Sequence, residues 1–507
     1  MGPQTLMANV VIMDGMAWLP KSLLGEARVQ ALRKELTAGL KQGMKGEIVE
    51  VEAFVENDFW FGLPRAYYEH TSTGKLPVVY EVCDAPIDTL STTIEPKNEM
   101  QTDAVNTLCE RLQRYPATQA MLQAGTGAGK TVMSLLIAGR LKQRTMILVH
   151  MESLYLQWQE RIKTTVGGGL PGVFPDAKLG LFRGTTEDYE DCDICIGMIQ
   201  TLVNRPPDHP VFKHFGLIIV DECHRTGSQT WNVVASRFNA AKRLAVTATP
   251  RRKDGGECLF HWHLGEIAWV GKLPLLSAKV FPVKTSFTLT GDYPKWIEES
   301  LMVKSEPRNM LIVREIMKAV SKDRKLLVVF KRIEHANMIK RLLDRMLPDY
   351  TVGLAVGSWF VDEDDAYSYT VDGRAYQAQF KKNGRYDIDQ MNPAKHQGVV
   401  SGKSGIKKVK PKTRQVSAEQ FKAACECNIL LATERKVSEG FDLPRLDTLF
   451  ITTPTWDIEQ VAGRVLRPHK EKRPPVVTHF VDAEVPKYRR AWEACKIIYE
   501  DIGSEIL

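Results

Sequence analysis

The chain has 507 residues, 44% of them apolar and 25% charged, with a formal net charge of +7 and nine cysteines. At about 100–200 residues per domain this is material for several folded units; the longest apolar runs, such as 132–139, fall short of the ~18–20 residues that span a bilayer, and the start lacks the charged-then-apolar pattern of a secretory leader. An odd, scattered set of cysteines reads as reduced thiols rather than a disulfide framework, so a cytoplasmic protein is expected, and the mild basic excess suits a polyanionic partner.

Residues 1–90 carry no phosphate-binding signal. Val29, Leu32, Leu36 and Leu40 share one face of a helix predicted over 26–41, and strand-like runs follow at 46–55 and 59–63, with a turn at 71–74. The region reads as a small α+β accessory domain, with Trp60, Phe61 and Arg65 read as core and turn residues ahead of the alternative that they touch nucleic acid. From residue 91 the character changes. Short Val/Ile/Leu-rich runs recur at 146–150, 194–198, 217–220, 244–247, 326–330, 429–432, 449–452 and 476–481. Runs that are apolar throughout suit parallel strands covered on both faces, and their alternation with helical stretches indicates doubly wound α/β sheets. They are too many for one such sheet. Two lobes are expected, 91–283 and 284–507, the second interrupted at 357–416 by an insertion whose latter part is basic (Lys403, Lys407, Lys408, Lys410, Lys412, Arg414).

The strongest chemical signal is Ala124-Gly-Thr-Gly-Ala-Gly-Lys-Thr131, which departs from the Walker A pattern only in Ala124. Small residues (Gly125, Thr126, Gly127, Ala128 and Gly129) let backbone N–H groups turn inward around phosphate oxygens. Lys130 is placed to reach the β- and γ-phosphates of ATP, and the Thr131 hydroxyl to bind Mg²⁺. A helix predicted to follow adds its N-terminal field. Leu217-Ile-Ile-Val-Asp-Glu-Cys-His224 is an apolar strand ending in two acids. Asp221 at its tip can hold Mg²⁺ and Glu222 can orient and deprotonate the attacking water. His224 is positioned to sense the site. Gln101, upstream of the glycine-rich loop, carries an amide that can both donate to and accept from an adenine edge.

These residues resemble the motifs of superfamily 2 helicases of the DECH/DEAD-like group, over about residues 95–490. The glycine-rich loop is similar to motif I, Asp221–His224 to motif II, Ile199-Gln-Thr-Leu202 to motif Ib, Thr247-Ala-Thr-Pro250 to motif III and Leu326–His335 to motif IV. Ala432-Thr433 with Glu439-Gly-Phe-Asp442 looks like motif V, and Gln460-Val-Ala-Gly-Arg-Val-Leu-Arg467 matches QxxGRxxR of motif VI. The resemblance implies two tandem RecA-like P-loop domains with parallel sheets that close around one ATP. It implies that Arg464 and Arg467 serve as arginine fingers, that Gly440 and Asp442 line the nucleotide cleft, and that Thr247, Thr249, His224 and Gln460 couple nucleotide to nucleic acid. Thr201, Lys331, Arg332 and Thr433 would grip a strand.

Within the superfamily the likeness is greatest to XPB-like and phage branch-migration helicases. Thr247–Gly255 carries a charged continuation of motif III, although Arg252-Lys253-Asp254 stands where that group has Arg-Glu-Asp. Arg308-Asn309 before motif IV belongs to the same likeness. The implied function is an ATP-dependent DNA helicase or translocase that remodels branched DNA, with 3′→5′ polarity. An RNA helicase, or the motor subunit of a restriction or repair nuclease complex, stays open.

Overall fold

The computed structural model describes residues 10–507 except 43–46, 72–76, 126, 164–171, 224–227, 249–254, 272–275, 290, 292–294, 357, 361–367, 372–373, 378, 381–385, 388–412, 416–417, 439–442, 444, 457 and 470–471. The chain divides into two compact units, Met1–Leu273 and Pro274–Leu507.

The first unit begins with strands β1 (Val10–Met13) and β2 (Met16–Pro20), helix α1 (Glu26–Glu35), strands β3 (Thr37–Gln42), β4 (Glu47–Glu52), β5 (Val55–Glu56) and β6 (Trp60–Pro64), helix α2 (Arg65–Thr71) and strand β7 (Val78–Glu81). Five of these strands form a sheet in the order β5-β6-β2-β1-β7, and β3 pairs with β4 alone. The helix predicted over 26–41 is therefore too long. It ends at Glu35, where the Thr37 hydroxyl donates to the Arg33 carbonyl and closes the last turn. Leu36, Ala38 and Leu40 are buried at alternate positions, so the apolar residues that seemed to continue a helical stripe belong to a strand.

The accessory region is not a compact unit of its own. Its core includes Leu259, with Trp262 packed against it, from helix α7 (Glu257–Leu264), and Tyr67 meets Trp262 edge to face. Arg65 is 2% exposed and donates to the carbonyls of Ala240 at 2.9 Å and Ala241 at 3.1 Å. The neighbouring Arg243 donates to Phe238 at 2.6 Å and Asp14 at 3.3 Å. These buried guanidiniums satisfy carbonyls just ahead of a sheet strand, where an orphan acceptor would cost about 1–3 kcal/mol. Arg65 and the fully buried Phe61 are thus structural, in line with the core reading rather than the nucleic-acid alternative.

The rest of the unit is an eight-stranded sheet. Helix α3 (Glu99–Gln113) leads into β8 (Thr118–Ala124), α4 (Lys130–Leu141), β9 (Thr145–Val149), α5 (Glu152–Lys163), β10 (Leu179–Arg183), β11 (Thr186–Asp188), β12 (Ile194–Met198), β13 (Leu217–Asp221), α6 (Ser228–Arg237), β14 (Lys242–Thr247), α7 and β15 (Ile267–Gly271). The order is β11-β10-β12-β9-β13-β14-β8-β15, parallel except for the β10–β11 edge pair. Central strands are buried along their whole length, as continuous apolar runs require when helices cover both faces.

The second unit holds β16 (Lys279–Lys284), α8 (Lys295–Val303), α9 (Glu306–Val320), β17 (Leu326–Phe330), α10 (Ile333–Met346), β18 (Val352–Ala355), α11 (Ala418–Glu426), β19 (Ile429–Thr433), β20 (Thr448–Ile451), α12 (Glu459–Val465), β21 (Val476–Val481), α13 (Pro486–Asp501) and β22 (Glu505–Ile506). Its sheet is parallel throughout, in the order β18-β19-β17-β20-β21-β16-β22. Because β16 pairs with β21, the expected boundary at 283/284 falls too late; residues 279–284 belong to the second sheet. Between β18 and α11 the chain leaves through Ser358–Phe360 and returns through Thr413–Gln415, an antiparallel pair. The basic run before Thr413 lies outside the described residues. Among the described residues no helix is long and apolar enough to cross a membrane.

Candidate active site

Strand register assembles the site. Asp221 stands opposite Val246, and Val246 and Thr247 stand opposite Leu122 and Gln123. The carboxyl ends of β13, β14 and β8 therefore form one level edge, carrying in turn the acidic pair, the Thr247 segment and the glycine-rich loop. Ligands of open parallel sheets bind at such an edge.

The loop uses the freedom of glycine where it is needed. Gly127 and Gly129 have φ of +89° and +87°, values that a side chain resists, and a Cβ on Gly129 would lie 2.4 Å from Gln101 Nε2. Helix α4 then begins at Lys130, with Thr131 in its first turn. Lys130 Nζ donates to the Ala124 carbonyl at 3.0 Å, spanning the loop from end to end. Gln101 is held by α3, whose cap residue Asn98 accepts from the Gln101 N–H at 2.9 Å. Its amide donates to the Ala128 carbonyl and accepts from the Lys97 N–H, each at 2.9 Å. Gln101 thus braces the loop, and its amide retains one N–H and one lone pair.

Asp221 is 6% exposed. Burial first, and the Glu222 charge second, push its carboxyl up to about 7, against the lowering effects of Trp158 and Lys130. Trp158 Nε1 donates to Asp221 Oδ2 at 2.8 Å. A buried carboxylate next to another acid is a group that a divalent cation would stabilise, and a carboxylate and a hydroxyl, such as that of Thr131, are the hard oxygen donors that Mg²⁺ takes. Glu222 follows at φ +49°, a left-handed backbone that costs a non-glycine residue of order 1–3 kcal/mol and clusters at functional positions. Thr247 is fully buried. Trp158 was not foreseen: it is 63 residues from Asp221 in sequence, and only the pairing of β9 with β13 brings its helix alongside.

The second unit has its own carboxyl edge. Phe330 stands opposite Thr433, and Val329 opposite Ile451. Motif IV and motif V residues therefore emerge side by side. Lys331 Nζ donates to the Pro454 carbonyl and its N–H to Thr453 Oγ1. Arg332 Nε binds Glu334 at 2.5 Å, with Glu299 at 4.0 Å. Thr433 is buried and accepts from the Lys436 N–H. Thr201, in the first unit, accepts from the Gly184 N–H at 2.9 Å. Arg464 on α12 and Arg467 just beyond it are 7% and 8% exposed, not members of a solvated helix face. Arg308 forms a fully buried bidentate pair with Asp482, and Asn309 Oδ1 accepts from His335 Nε2 at 2.8 Å; Arg308 and Asn309 both hold the lobe together. Thr126, His224, Thr249, Gly440 and Asp442 lie outside the described residues, as do the Arg252-Lys253-Asp254 triplet and the Gln460 side chain.

A glycine-rich loop, an acidic strand end and a basic helix N-terminus on one edge of a parallel sheet define a P-loop ATPase. Residues 95–252 match the family described as Type III restriction enzyme, res subunit. Over 454 residues, 86% of this chain and 74% of the relative, the chain is 23% identical to a protein of Acanthamoeba polyphaga mimivirus provisionally named ATP-dependent RNA helicase L396. Over 154 residues, 30% of this chain and 32% of the relative, it is 32% identical to the DNA 3'-5' translocase XPB2 of Sulfurisphaera tokodaii. The crystal structure of T4 UvsW aligns over 98% of this chain and 99% of that one, at 15% identity and a TM-score of 0.35. These matches make the chain similar to ATP-dependent helicases of superfamily 2, with the family match lying within residues 95–252.

Proposed function

We propose that this enzyme is a DNA motor that couples ATP hydrolysis to 3′→5′ movement and remodels branched DNA, working in the cytoplasm of a bacterial or phage-infected cell. The observation that carries the DNA reading is the 32% identical segment of 154 residues shared with a DNA 3'-5' translocase. The RNA reading has its own support, because the mimivirus relative that matches most of the chain is named for RNA.

Chemically, Lys130 leaves the Ala124 carbonyl for the β- and γ-phosphates as the loop N–H groups close on them. Thr131 and Asp221 hold Mg²⁺, which neutralises phosphate charge when bound. Glu222 takes the proton of the attacking water. Arg464 and Arg467, from the second unit, offset charge developing on the γ-phosphate, and this ties turnover to lobe closure. Gln101 uses its remaining N–H and lone pair on the adenine, while Gly440 and Asp442 complete the cleft. Thr247, Thr249, His224 and Gln460 transmit nucleotide state to the strand held by Thr201, Lys331, Arg332 and Thr433. Arg332 exchanges an internal partner for a phosphate, so binding weakens with salt.

The test is ATPase stimulation by single-stranded DNA, duplex DNA, a four-way junction and RNA of matched length at fixed salt. Strongest stimulation by the junction is expected. Stimulation by RNA and by no DNA would overturn the proposal.

A further inference from the structure

The second unit contains a cavity of about 270 Å³ lined by Glu298, Glu299, Lys331, Trp456, Lys487 and Tyr488 among others. It opens where β17 and β20 end, at the carboxyl edge of the sheet. Trp456 is 54% exposed, a large apolar surface left in water at a cost that burial would recover.

The segment that presents Trp456 is built rather than loose. Thr453 Oγ1 accepts from the Lys331 N–H, the Pro454 carbonyl accepts from Lys331 Nζ, the Thr455 hydroxyl donates to Glu434, and the Thr455 carbonyl accepts from Cys495 Sγ. These bonds fix the backbone up to Thr455, and the indole that follows stands in water as a stacking platform would. Behind it, Glu298 is 3% exposed and accepts from Lys487 and from the Tyr488 hydroxyl through one oxygen, Oε2. Glu299 lies near Arg332. Two lysines and two glutamates balance, so the cavity does not select a phosphate; it suits a flat, neutral, donor-bearing ring. The carboxylates accept N–H groups, and aromatic faces stack on any base.

We infer that this cavity receives one unstacked nucleobase of the bound strand, with Trp456 as its stacking face and Glu298 and Glu299 accepting from the amino edge of the base. The inference rests on the reading of the chain as a nucleic-acid motor, and it adds a base contact to an otherwise phosphate-directed grip. Bases with an exocyclic amino group rank above thymine and uracil.

The test uses the full chain and compares two strands of equal length, one with bases and one abasic throughout, by fluorescence anisotropy at fixed salt. Trp456→Ala should weaken binding of the base-bearing strand by about 5- to 100-fold and leave the abasic strand unchanged. Trp456→Phe should restore most of the loss, and the wild-type minus Trp456→Phe emission spectrum should show quenching only with the base-bearing strand. Equal loss on both strands, or loss on neither, overturns the inference while leaving ATPase stimulation, and so the motor reading, intact. If the wild type binds neither strand and its ATPase is unstimulated, the motor reading fails and this inference falls with it.

Discussion

Two buried aspartates occupy matching places in the two sheets. Asp221 ends β13 in the first unit, and Asp482 follows β21 in the second. Asp482 is compensated within the protein: Arg308 binds both of its oxygens at 2.8 and 3.0 Å, and the Thr285 hydroxyl donates to Oδ1. Among the described residues Asp221 receives one side-chain hydrogen bond, from Trp158, and burial drives its carboxyl up to about 7. Two similar parallel sheets thus treat the same residue in opposite ways. One turns the charge into a clamp, and the other leaves it in deficit, ready for a cation. The chemistry of the molecule resides where compensation is incomplete.

The contrast can be broken first at the neighbour of Asp221. Glu222→Gln keeps the side-chain shape and removes the base; ATP turnover should fall about 10²–10⁴-fold while equilibrium ATP binding persists, and retained turnover would show that another group accepts the proton. Next, Arg308→Ala leaves Asp482 buried with its main partner gone. Denaturant unfolding should report a loss of about 3–5 kcal/mol, whereas Asp221→Asn should leave stability nearly unchanged. Equal losses would dissolve the distinction. Trp158→Phe removes one hydrogen bond to a charged group, worth about 1.5–3 kcal/mol. It should raise the Mg²⁺ concentration needed for half-maximal ATPase by roughly tenfold, without changing the transition of the second unit. The smallest effect at neutral pH belongs to His479. Burial lowers its ring to about 3, so the unfolded chain binds the extra proton between pH 6.5 and about 3. Stability should be full above pH 6.5 and decline as pH falls through that window. His479→Gln should flatten that decline in unfolding curves recorded from pH 7 to 4.

Strands buried on both faces were legible because their apolar runs admit few other readings; 194–198, 326–330 and 476–481 coincide with β12, β17 and β21. Helix α1 was overread because Leu36 and Leu40 satisfy periods of both 3.6 and 2, and only the pairing of β3 with β4 decides between them. The partners of Arg65 were not legible, because nothing local reveals that it will be buried against Ala240 and Ala241. The glycine-rich loop was readable from its spacing, and Gly127 and Gly129 take the left-handed backbone that glycine permits. Trp158 and Trp456 were not, since an isolated tryptophan carries no spacing signal and each acquires its place from strands or helices remote in sequence.

The antiparallel pair of Ser358–Phe360 with Thr413–Gln415 has an evolutionary consequence. It fastens together the two ends of the insertion just outside the second sheet, so the sheet does not register how much chain lies beyond the fastening. Doubling the length of a loop closed in this way costs only about 0.6 kcal/mol. The position is a socket, and related chains are expected to differ more in the length of chain beyond it than in the sheet it leaves.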